Sequence, residues 1–175
     1  MRNLGIILSI LSFAGIAQAT EIVSSRDWRA EKDVMTPLEK MGCVAQTTTE
    51  VEDGQSSTEE WTLQVIKLAT GNGDYSFPII ISFPEAQPTN EYYEASGQSN
   101  RPDTDAFSMT LMQPASGDKT IVANRLVDRN RIVNRLKADN TFTVDYLTKE
   151  GPTRSAEFSL RGSSVTIQRM LDTCN

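Results

Sequence analysis

The chain has 175 residues, 17 Lys and Arg against 23 Asp and Glu, and no histidine, for a formal charge of −6. The missing histidine excludes Ser-His-Asp and Cys-His catalysis and His-ligated zinc. The acidic balance leaves no electrostatic footprint for nucleic acid and no attraction to anionic lipid surfaces, so its plain reading is solubility.

The first element expected is a secretory signal peptide. Arg2 gives a positive start, Leu4 to Ala17 is almost wholly apolar or small, and Ala17-Gln18-Ala19 supplies the small-x-small cleavage pattern. The apolar run is shorter than the roughly 20 residues that span a bilayer, so an integral membrane protein is not expected. Cleavage after Ala19 leaves residues 20–175 as one domain. Its cysteines are Cys43 and Cys174, and in an oxidising compartment two cysteines allow a single internal bridge. No C-x-x-C spacing marks a catalytic redox pair.

In the mature chain, Asp27 to Ala30 reads as a short first strand anchored by Trp28. Thr36 to Gly42 reads as a Pro-initiated turn or short helix stopped by Gly42. A strand is expected from Cys43 to Thr49, then a loop from Glu50 to Glu60 around Asp53-Gly54. Trp61, Leu63 and Val65 alternate onto one strand face. The pattern breaks at Ile66, which signals either a bulge or a strand buried on both sides. Gly71 to Asp74 is a turn, and Phe77 to Phe83 an apolar strand around Ile79-Ile80-Ile81.

Residues 85–105 form the longest polar stretch, expected as a loop that carries Tyr92 and Tyr93. Phe107 to Leu111 and Thr120 to Ala123 return to strand character. Asp128 to Leu136 has helical spacing, with Asp128 as N-cap, Ile132, Val133 and Leu136 on one face, and Arg129, Arg131 and Arg135 mostly elsewhere. Thr141 to Leu147 and Arg154 to Leu160 make a hairpin across Gly151-Pro152. Ser163 or Ser164 is positioned to cap a last helix whose Ile167, Met170, Leu171 and Cys174 form one buried stripe, bringing Cys174 to the core side where Cys43 can meet it. Seven or eight short strands with two short flanking helices predict a mainly β protein, an antiparallel β-sandwich.

The segment from Asp128 to Cys174 resembles the bacterial invasion-associated locus B family of exported proteins. The most specific piece is Phe158-Ser159-Leu160-Arg161-Gly162 ahead of the closing helix. Trp28, Cys43-Val44-Ala45 and Ile81-Ser82-Phe83-Pro84 match more loosely. The resemblance implies a β-sandwich, export, and in some pathogens a link to host-cell invasion. It brings no catalytic residues.

Carboxylates are plentiful at Glu50, Glu52, Asp53, Glu59, Glu60, Glu91, Glu94, Asp103 and Asp105, and a glycosidase would need two of them at a set separation across a cleft. Acidic loops on an acidic protein are more often just solvated. Asp103-Thr104-Asp105 offers calcium an Asp-x-Asp without the rest of a calcium loop. Arg125, Arg129, Arg131 and Arg135 could meet an acidic partner or form the wet face of a helix. Tyr92 and Tyr93 could contact a partner or pack onto the sheet. The expectation is a non-enzymatic binding protein, periplasmic or secreted, with no cofactor and no metal, acting on a protein or envelope component. The alternative is a periplasmic glycan-acting enzyme using paired carboxylates.

Overall fold

A computed structural model describes residues 19–36, 40–52, 58–69, 75–76, 78–83, 94–100, 107–112, 119–122, 126–146 and 154–174. Eleven strands and two helices are found there: β1 Thr20–Ser25, β2 Trp28–Met35, β3 Met41–Glu52, β4 Thr58–Ala69, β5 Tyr75–Ser76, β6 Ile79–Phe83, β7 Glu94–Ser99, β8 Phe107–Met112, β9 Lys119–Val122, α1 Leu126–Ala138, β10 Thr141–Tyr146, β11 Arg154–Ser159 and α2 Ser163–Thr173. The strands form one hydrogen-bonded path in the order β1-β2-β3-β4-β6-β9-β8-β7-β10-β11, with β5 attached to β4. Every pairing is antiparallel. The protein is mainly β, as its alternating segments predict.

The path folds over so that its ends approach. β11 packs against β3, α2 crosses β1, β2, β3 and β4, and α1 packs on α2. The enclosed core joins Trp28, Trp61, Leu63 and Val65 to Ile79, Ile81, Phe142, Phe158 and the helix residues Ile132, Leu136, Ile167 and Met170. A second cluster of Val44, Ile66, Leu68 and Ile80 lies on the other face of β3, β4 and β6. The break in alternation at Ile66 is therefore no bulge. Register runs without a shift from Cys43↔Lys67 to Glu52↔Thr58, and both Val65 and Ile66 are fully buried. Ile79, Ile80 and Ile81 are consecutive for the same reason.

Several expectations need correction. The first strand is preceded by another: β1 pairs with β2 around a turn at Arg26 and Asp27, and Arg26 has φ 55°. Gly42 stops no helix; it lies inside β3. A Cβ there would meet Leu68 Cδ2 at 2.7 Å and the Lys67 carbonyl at 3.0 Å, so glycine permits close strand approach. Within the loop expected at 50–60, residues 50–52 and 58–60 are strand, because β3 and β4 stay paired out to Glu52 and Thr58. The polar stretch 85–105 contains β7, paired on both sides by β8 and β10. Its small residues carry no apolar alternation, so the flanking ladders, not its own side chains, specify it.

The helix ends differ too. α1 starts at Leu126, ahead of the expected cap at Asp128, and ends with Arg135 and Lys137 in its last turn, where cations suit the helix dipole. Before α2 the N-cap position belongs to Gly162, at φ 94°, with no side-chain cap. Ser163 instead turns inward, its hydroxyl 2.7 Å from the Leu160 carbonyl and within reach of that of Leu136.

Candidate functional site

The Phe158–Gly162 segment is a clasp on the β1–β2 hairpin. Phe158 and Leu160 enter the core. Between them, the Ser159 carbonyl accepts from Trp28 Nε1 at 2.8 Å, and the Ser159 hydroxyl donates to Asp27 Oδ2. The Asp27 backbone N–H donates to the Arg161 carbonyl at 3.2 Å. Gly162 then passes so close to Ser25 that a Cβ would sit 1.9 Å from its carbonyl oxygen. These residues fix the chain immediately before α2 and so aim that helix across the sheet.

At its far end, α2 reaches β3. Cys43 and Cys174 form the expected disulfide, with Cα atoms 6.4 Å apart. The bridge lies in the wall of a cleft of about 350 Å³, together with Lys32, Asp33, Met41 and Lys67. Lys67 is only 7% exposed. It sits on the core-facing side of β4, directly opposite Cys43. Its ammonium donates to the Leu171 carbonyl at 2.9 Å. α2 has no basic residue in its own last turn, so Lys67 supplies from β4 the cation that suits the negative end of the helix. A lysine this buried needs such a partner. The sequence held its signal: period two from Trp61, Leu63 and Val65 lands on Lys67.

A smaller cleft of about 150 Å³ lies beside the β1–β2 turn, lined by Arg26, Asp27, Arg29, Gln46 and Thr48 among others. The Gln46 and Gln64 amides lie 2.8 Å apart. Turning the Gln46 amide lets its oxygen accept from Arg29 Nε and Nη2, both at 2.9 Å.

The other sequence candidates are scattered. Arg131 is exposed and Arg135 half-buried on α1, where Arg129 also lies. Arg131 and Arg135 line neither cleft, and Arg125 lies outside the described residues. Tyr92, Tyr93, Asp53, Glu91, Asp103 and Asp105 lie outside the described residues. Glu50 and Glu60 are exposed and face each other across the β3–β4 ladder, and neither lines the two clefts. Like charges placed so are mildly destabilising, which fits a solvated hairpin end. Among the described residues no group of three or more Cys, Asp or Glu could hold a metal ion, and no helix is long and apolar enough to cross a membrane.

No family model and no curated protein matches the chain. Among solved structures it is similar to invasion associated protein B from Bartonella henselae, with a TM-score of 0.55 and 10% sequence identity, over 90% of this chain and 98% of that one. At that identity the likeness speaks for the fold.

Proposed function

We propose that this chain is an exported, non-catalytic binding protein of the invasion-associated locus B type. The observation that carries the reading is the likeness of fold over nearly the whole length of a protein described as invasion associated. The disulfide that ties the last helix to β3 supports an oxidising destination, where such bridges persist. The leader-like residues 1–19 support the same route. The partner is a protein or envelope component. Tyr92 and Tyr93 are the first candidates for its contacts, and Arg129, Arg131 and Arg135 on α1 come next.

The test begins with protein expressed behind its own leader. Intact mass of the exported fraction should give a chain starting at Thr20 with no free thiol. Labelled mature protein should then bind purified envelope or host-cell surfaces saturably, and unlabelled protein should compete. Changing Tyr92 and Tyr93 together to Ala should lower that binding while leaving circular dichroism and melting unchanged. Retention of residues 1–19 in the cytoplasm would overturn export. Glycan hydrolysis abolished by a carboxylate substitution would overturn the non-catalytic reading.

A further inference from the structure

We propose that the Cys43–Cys174 disulfide is an exchange site, open in the folded protein to a dithiol reductant, with Lys67 as the positioning cation that stabilises the departing Cys43 thiolate. The inference stands on geometry independent of the binding role above. A bridge buried in a core is shielded from an attacking thiolate. This one lies in a cleft wall, and both cysteines remain partly exposed. Two lysines, Lys32 and Lys67, line the same cleft with one acidic residue, Asp33. Lys67 is held on two sides: by register opposite Cys43, and by its bond to Leu171, within one helical turn of Cys174. Its charge is therefore held at the end of α2 that carries Cys174 rather than swinging in solvent.

The exchange balances as follows. A reductant thiolate attacks Cys174 Sγ, the Sγ–Sγ bond breaks, and Cys43 leaves as a thiolate facing the Lys67 side chain. The second thiol of the reductant loses its proton to solvent and attacks the mixed disulfide. Cys174 is released as a thiolate, and the reductant leaves as its own disulfide. Two electrons have moved from the dithiol to the protein. A cation near the leaving sulfur speeds the first step, because a better-stabilised thiolate leaves faster. Cys174 follows the last turn of α2, so release frees that helix end from β3 while all the sheet ladders remain.

The test is the rate of reduction by dithiothreitol at fixed pH without denaturant, followed by alkylation and mass. In wild-type protein the rate should rise in proportion to reductant with no plateau, and circular dichroism should persist through reduction. Lys67→Gln should slow it about threefold to tenfold, and Lys67→Arg should restore most of the loss. A rate that plateaus at the global unfolding rate would overturn the proposal from the wild-type protein alone, even where Lys67→Gln fails to fold. A folded Lys67→Gln protein reduced as fast as wild type would overturn the part given to Lys67.

Discussion

Gly162 has little freedom to change. Its φ of 94° disfavours any side chain, and a Cβ would stand 1.9 Å from the Ser25 carbonyl oxygen. Gly162→Ala is expected to destabilise by about 3 kcal/mol or more, measured by urea unfolding, because backbone strain and steric overlap act together. Trp28 offers a finer probe. Trp28→Phe keeps most of the buried ring but removes the N–H that reaches the Ser159 carbonyl. A loss of about 1–3 kcal/mol is expected if that oxygen is left without a donor. The Phe158–Gly162 motif stood out in the sequence. The reason for its glycine did not, because Ser25 lies far away in the chain and is brought there only by the folded hairpin.

At the level of elements, β4 separates two ways of burying a strand. An amphipathic strand would tolerate truncation on its outer face. Here Leu63 lies in the main core and Ile66 in the second cluster, both fully buried. Leu63→Ala and Ile66→Ala should therefore each cost about 2–5 kcal/mol in chemical denaturation. A near-neutral Ile66→Ala would show that the second cluster contributes little. α2 gives the contrasting case. Ile167 is buried whereas Val165 is 54% exposed, so Ile167→Ala should cost about 2–5 kcal/mol and Val165→Ala should stay within about 0.5 kcal/mol of wild type. The stripe of α2 was legible because period 3.6 is a local property. β7 was not, since Glu94–Ser99 has no apolar alternation and takes its form from β8 and β10.

For the molecule as a whole, the disulfide spans a sequence separation of 131 residues. Chain entropy then sets a ceiling of about 5 kcal/mol on its contribution, and a measured loss of about 2–5 kcal/mol is expected when both cysteines become Ser. The unfolding midpoint should fall while far-ultraviolet circular dichroism at low denaturant stays the same, because the clasp of Ser159 on Asp27 and Trp28 still joins the chain ends. Loss of the native spectrum in the double variant would show that the bridge is needed to form the fold.

By itself the sequence determined the mainly β class, the cores of both helices, the hairpin of β10 and β11, and the pairing of the two cysteines. Each follows from short-range periodicity or from having a single partner available. Only the tertiary structure decided that the sheet folds over its main core, that glycine at 162 faces Ser25, and that Lys67 shares a cleft with the disulfide. These depend on which distant segments meet. Lys67 shows the division most clearly. Its strand parity is written in the residues before it, but the helix carbonyl that makes its burial tolerable comes from the other end of the chain.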